Sequence, residues 1–169
     1  MRIREEQPQD IKAIRKVNIR AFGQTQEANL VGKLRQNCNH LLSLVALMEN
    51  QVVGHILFSP ATVEVEHGTV LGMGLAPMAV LPEYQRRGIG SELIRSGIVR
   101  LTSRRCPFVI VLGHAHYYPR FGFEPASRHG IRSEWEVPVD TFMILVLDES
   151  AMQGTSGMAK YRPEFAEIM

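Results

Sequence analysis

One stretch, residues 78–101, constrains this chain more than any other. An apolar run, Met78-Ala79-Val80-Leu81, leads through Pro82-Glu83-Tyr84 into Gln85-Arg86-Arg87-Gly88-Ile89-Gly90-Ser91. Helical spacing follows at once. Apolar residues recur at Ile89, Leu93, Ile94, Ile98 and Leu101, with Gly97 on the same side. Glu92, Arg95, Ser96 and Arg100 occupy the other faces. Strand, loop and amphipathic helix in unbroken succession put an apolar helix face beside a sheet.

The loop has a chemistry of its own. The first turn of a helix leaves backbone N–H groups without internal partners, and the macrodipole adds partial positive charge there. Gly88 and Gly90 carry no Cβ, so an anion can approach the backbone closely. Arg86 and Arg87 add full charges beside those amides, a combination suited to pyrophosphate. From residue 85 to 105 there are six arginines and one acid, Glu92, a favourable field for a polyanion. Two common phosphate loops are excluded. The ATP loop needs a lysine and then Ser or Thr after its second glycine, and the dinucleotide loop needs a third glycine where Leu93 stands. The plainer alternative is a glycine turn before a surface helix. The preceding strand, the paired arginines and the Gly-x-Gly spacing favour phosphate.

At these residues the sequence resembles the GNAT superfamily of acetyl-CoA-dependent N-acetyltransferases. Its signature, Gln/Arg-x-x-Gly-x-Gly/Ala, is matched by residues 85–90, and Val80-Leu81-Pro82 looks like its lead-in. A second block, Tyr117-Tyr118-Pro119-Arg120-Phe121-Gly122-Phe123, resembles the family's Tyr-x-x-x-Gly-Phe. The chain looks closest to the bacterial YhbS-like branch. Its tail, Gly154-x-x-Gly157-x-x-x-Tyr161-x-x-x-Phe165, is similar to that branch's C-terminal pattern. The resemblance implies one α+β domain over 1–169, with 148–169 a C-terminal extension. It also implies a mixed, mostly antiparallel sheet of six to seven strands, splayed fourth and fifth strands, and helices on both faces. Acetyl-CoA would be held by Met78, Ala79, Val80, Gln85, Arg86, Arg87, Gly88, Ile89, Gly90, Ser91 and Tyr118. The backbone of Met78 and Val80 would pair with the pantetheine arm like an added strand.

Composition narrows the class. At 169 residues, one domain burying roughly 70% of its unfolded surface is expected. With 45% hydrophobic and 21% charged residues, the chain reads as an ordinary soluble globule. A net charge of +2 argues against nucleic acid, because the basic character is confined to one helix. The longest apolar stretch, residues 41–48, is too short to span a bilayer, and no signal peptide is seen. Two cysteines, Cys38 and Cys106, are too few for a disulfide framework or a zinc site, so a reducing cytoplasm is expected. Monomer and homodimer are both compatible.

Read in order, residues 3–5 form a short strand. Pro8 opens a helix with a stripe of Ile11, Ile14, Val17 and Ala21 or Phe22, ended by Gly23. Thr25 caps a second helix. Residues 42–48 and 52–58 form a hairpin across Glu49-Asn50. Pro60 marks a bend, and 62–66 alternate. Residues 70–80 are a fourth strand, with Pro77 signalling a bulge or a parting of strands. Residues 108–112 are a buried strand, 117–121 a short helix, 127–139 a polar connection holding Trp135, and 142–147 the last strand.

The implied reaction is attack of an amine on a thioester. It needs a deprotonated amine, a polarised carbonyl and protonation of the departing thiolate. Tyr118 stands where the family usually places its general acid. A phenol of pKa ~10 protonates a thiolate of ~8.5 only with help from the local field, but can hydrogen-bond the sulfur. Packing is the alternative role, and Tyr117 is read as packing. The base is less determined. His114 and His116 sit past the fifth strand, where a histidine can accept an amine proton; polar loop histidines are the plainer reading, and the pair is weak as a metal site. Glu64 and Glu66 fit a solvent-facing strand edge, and His55 a buried strand position. An acyl-CoA-binding sensor without turnover is the rival to an enzyme, and the amine acceptor is not named by these residues.

Overall fold

The computed structural model describes residues 1–169. The chain divides into two compact units. One is Met1–Ser59 with Ala76–Val99 and Glu164–Ile168; the other is Pro60–Leu75 with Arg100–Pro163 and Met169.

In the first unit, β1 (Arg2–Glu5), β2 (Leu42–Met48) and the start of β3 (Gln51–Val65) form an antiparallel meander. Glu49 and Asn50 turn the hairpin at φ 51° and 65°, the left-handed pair that a two-residue turn of this hand requires. Three helices pack here: α1 (Ile11–Phe22), α2 (Gln26–Asn37) and α3 (Ile89–Ser103, as far as Val99). Strand alternation assigns their faces. His55 on β3 bonds Asn18 of α1, while its neighbour Gly54 and also Phe58 meet α3. A Cβ on Gly97 would lie 2.3 Å from the Phe58 ring, so α3 comes this close only because that position is glycine. Leu93 and Ile94 are fully buried. Each such side chain contributes about 1.5–3 kcal/mol, which holds the start of α3 in place.

In the second unit, β4 (Gly68–Val80) runs parallel to β5 (Phe108–Leu112), from Met73↔Val109 to Leu75↔Val111. β5 pairs antiparallel with β8 (Phe142–Val146), and β8 with β6 (Glu124–Pro125). The rest of β3 pairs with β9 (Gly157–Lys160), which runs parallel to β7 (Ile131–Ser133). The short α4 (Glu149–Met152) is capped by Asp148, whose carboxylate accepts from Ala151 N at 3.2 Å. The strand order is β1-β2-β3-β4-β5-β8-β6, with β9 joined to β3 and β7 to β9.

The α+β class and the helices on both faces of the first unit's strands agree with the sequence reading. The last β4–β5 pair, Leu75↔Val111, stands two residues before Pro77, where a parting was expected. Several details differ. The sheet has nine strands, not six or seven, because β6, β7 and β9 are only two to four residues long and carry no alternating pattern. Residues 142–147 are not the last strand: within 148–169, β9 pairs with β3 and β7. Pro60 does not break β3, which is one strand of 15 residues. Ile11 and Phe22, expected in the α1 stripe, are each 40% exposed, and Asn18 is buried there. Thr25 sits before α2 but makes no capping bond. No helix is long and apolar enough to cross a membrane.

Candidate functional site

In the first unit the chain leaves β4 and is tied to β3 by Leu81 N donating to Val53 O at 2.9 Å. A 3-10 turn at Pro82–Tyr84 follows, held to α1 by the fork of Arg20 on Glu83 at 2.7 and 2.9 Å. That pair is half exposed, so it orients the loop more than it stabilises the fold. The Gln85 side chain donates from Nε2 to Val80 O at 2.9 Å, closing the base of the loop onto the strand end. Arg86 is left-handed at φ 63°, uncommon for a residue with a Cβ. Gly88 is left-handed at φ 81° with open space around its Cβ position, so backbone conformation, not room, calls for glycine. Gly88 O then accepts from Glu92 N at 3.1 Å, and the helical ladder begins.

The product is an exposed arch, residues 85–88, at the helix start. The first-turn amides point out of that end. Arg87 lies over the Tyr84 ring at 5.2 Å, which keeps one guanidinium on the loop side. Each residue expected to bind the donor here has a definite position. Arg86, Arg87 and Gly88 are exposed, while Gly90 and Ser91 are half-buried in the first turn of α3. Ile89 is buried against Gly54, so only its backbone is available to a ligand. Gln85 uses its amide on Val80, which the sequence did not show. Met78 and Val80 are half-buried at the end of β4, with Ala79 buried between them.

In the second unit β5 ends at Leu112, and Gly113 N donates to Thr141 O at 2.9 Å. His114 O accepts from Tyr117 N and Tyr118 N at 3.1 and 3.4 Å, starting the 3-10 turn Tyr118–Phe121, which Gly122 ends at φ 98°. The Tyr118 ring is buried, edge-on to Tyr117 at 5.2 Å and Phe123 at 5.6 Å. A Cβ on Gly113 would stand 2.4 Å from it, so this glycine makes the seat of the ring. Burial, with a smaller repulsion from Tyr117, pushes the Tyr118 phenol up to about 12. The hydroxyl therefore keeps its proton at neutral pH. His114 and His116 are solvent-exposed. Tyr117 packs as expected, with Phe121 at 5.3 Å and Arg120 over its ring at 4.6 Å.

His55 belongs to a separate buried chain. Asn18 Nδ2 lies 3.0 Å from Ile14 O and 3.1 Å from His55 Nδ1. With that amide donating, Nδ1 accepts and Nε2–H donates to Ser43 Oγ at 2.9 Å. Ser43 donates to Glu6 at 2.8 Å, and Arg35 forks onto the same carboxylate. The Ser–His–Asn order resembles a nucleophile triad, but the tautomer is wrong for one: the ring nitrogen facing Ser43 already holds its proton. The chain is a structural network.

Fold and loop together define an acyltransferase of the GNAT type. A family model for the acetyltransferase (GNAT) domain matches residues 2–126, and the chain belongs to that family. It is 48% identical over 132 residues to the uncharacterised N-acetyltransferase YjhQ of Escherichia coli K12, covering 76% of this chain and 73% of that one. It is 35% identical over 166 residues to YhbS of the same strain, covering 98% of each. The crystal structure of E. coli YhbS in complex with CoA matches with a TM-score of 0.92 at 32% identity, over 99% of this chain and 93% of that one. A Brucella melitensis GNAT acetyltransferase in complex with acetyl-CoA matches with a TM-score of 0.78 at 33% identity, over 97% of each.

Proposed function

We propose that this protein transfers the acetyl group of acetyl-CoA to a primary amine by direct attack on the thioester. The observation that carries the reading is the arch at residues 85–88, with Arg86 and Gly88 left-handed and the amides of α3 beyond it. Such an end suits a pyrophosphate, and the relatives solved with CoA and acetyl-CoA support that assignment. The pyrophosphate is held by Arg86, Arg87 and the backbone of residues 88–91. The pantetheine arm follows the backbone of residues 78–80, where the Val80 carbonyl already accepts from Gln85.

The nitrogen–carbon bond forms as the carbon–sulfur bond breaks. The sulfur leaves as a thiolate and the amine gives up a proton. Tyr118 donates its hydrogen bond to the sulfur. With the phenol at about 12 and an ordinary thiol near 8.5, full proton transfer is about 5 kcal/mol uphill. Tyr118 therefore stabilises developing charge before it protonates anything. His114, exposed four residues earlier, takes the amine proton directly or through water. The unpaired Cys38 and Cys106 fit a cytoplasmic setting.

The test is release of free thiol from acetyl-CoA across amines, amino acids, polyamines, aminoglycosides and peptides. A responsive amine is expected, with kcat falling about a hundredfold in Tyr118→Phe. Full rate in that variant removes Tyr118 from the mechanism. Tight acetyl-CoA binding with no turnover over the whole panel favours an acyl-CoA sensor.

A further inference from the structure

Tyr161, within the tail pattern, takes no part in the proposed chemistry, yet the tail delivers its buried phenol to the end of the β4–β5 ladder. The delivery is specific. A Cβ on Gly157 would lie 1.8 Å from Glu64 O, so only glycine lets β9 lie against β3 there. The β9 register, Glu64↔Met158 to Thr62↔Lys160, then carries the chain to Tyr161. Glu134 accepts from Tyr161 N at 3.2 Å, and Trp135 stacks on the ring at 5.6 Å. On β4, Gly74 makes room: a Cβ there would be 2.5 Å from the ring.

The ring is buried, and its hydroxyl is shared between two carbonyls, Leu75 O at 3.3 Å and Ile110 O at 3.4 Å. Those residues belong to the last two pairs of the ladder, Gly74↔Ile110 and Leu75↔Val111. Burial, with Tyr118 adding to it and a hydrogen bond from the Leu112 backbone opposing it, holds this phenol above its ordinary range, so it stays protonated.

We propose that Tyr161 is a positioning residue for acetyl transfer: its hydroxyl, shared between Leu75 O and Ile110 O, fixes the point at which the β4–β5 ladder ends. It acts through β4, whose continuation at residues 78–80 is the donor-binding backbone of the proposed function. The inference rests on that reading.

The experiment compares wild type with Tyr161→Phe, which keeps the ring against Gly74 and Trp135 and deletes only the hydroxyl. Tyr161→Leu, which also removes the ring, reports the packing role. Amide exchange is followed by NMR with CoA bound, and steady-state rates use the acceptor found by the thiol-release screen. In Tyr161→Phe, amides of residues 74–76, 78–80 and Leu112 should exchange at least about tenfold faster, with β1 and β2 amides unchanged. kcat should fall about tenfold while KM for acetyl-CoA stays within roughly threefold. A positioning role is overturned if Tyr161→Phe keeps wild-type exchange at these amides. It is equally overturned if exchange rises but kcat does not fall, or if only Tyr161→Leu loses activity, in step with its melting temperature. If wild type binds CoA but turns over no amine, the catalytic reading fails, and the exchange comparison still decides whether Tyr161 sets the end of the ladder.

Discussion

Acidification from pH 7.5 to 5 should destabilise this protein through His55, and the size of the effect follows from its surroundings. The ring is fully buried between Asn18 and Ser43. A second proton would sit on Nδ1, facing an Asn18 N–H. Burial pushes the imidazole down from 6.5 to about 4; attraction from Glu6 opposes the shift and Arg35 adds to it. The folded state therefore stays neutral at His55 while the unfolded chain takes up a proton below 6.5. Unfolding then binds more protons, so stability falls as pH drops through the window between 6.5 and 4. The linkage gives almost no cost at pH 7.5 and a loss of about 2 kcal/mol at pH 5. Glu6 and Asp10 are held below their ordinary range, so their stabilisation is lost only at lower pH. The assay is urea unfolding at four pH values across the window, for wild type and His55→Gln. The glutamine can still bond Ser43 but does not titrate. Wild type should lose about 2 kcal/mol more than the variant, roughly a 1 M shift in midpoint at an m-value of about 2 kcal/mol/M. Parallel pH dependences would refute the assignment of His55 as a buried neutral group.

Three further outcomes are expected. Arg86→Ala and Arg87→Ala should each weaken CoA binding about tenfold at low salt, and calorimetry should show the difference shrinking as salt is raised. Gly97→Ala should cost about 1–3 kcal/mol, because its Cβ would meet the Phe58 ring at 2.3 Å; Phe58→Leu in the same chain should recover part of that loss in thermal melts. Gly113→Ala should displace the Tyr118 ring, lowering kcat as Tyr118→Phe does while CoA still binds, and retained kcat would show that the seat is dispensable.

Some elements were legible because each owes its shape to local chemistry. The α3 stripe was read from spacing alone, and Ile89, Leu93, Ile94 and Leu101 are buried. β5 at residues 108–112 was a continuous apolar run and is a central strand. Gly23 was read as a helix end and is left-handed at φ 70°. Where the reading failed, a distant partner decided. Asn18 breaks the α1 stripe because His55, 37 residues away, needs a partner in the core. β9 reads as Gly-Met-Ala-Lys, with no strand signal, and becomes a strand by pairing with β3 and β7.

By itself the sequence determined the arch and its charge. Two arginines, two glycines and a helix start are near neighbours in the chain, so their chemistry is set by local backbone rules. Tertiary structure decided what surrounds Tyr118 and Tyr161. Nothing in the chain order says that Gly113 makes the seat of one ring or that Gly74 admits the other. Nor does it say that a phenol in the tail lies beside the carbonyls of Leu75 and Ile110. Those contacts join residues far apart in sequence, and the burial that raises both phenols exists only once the core has closed around them.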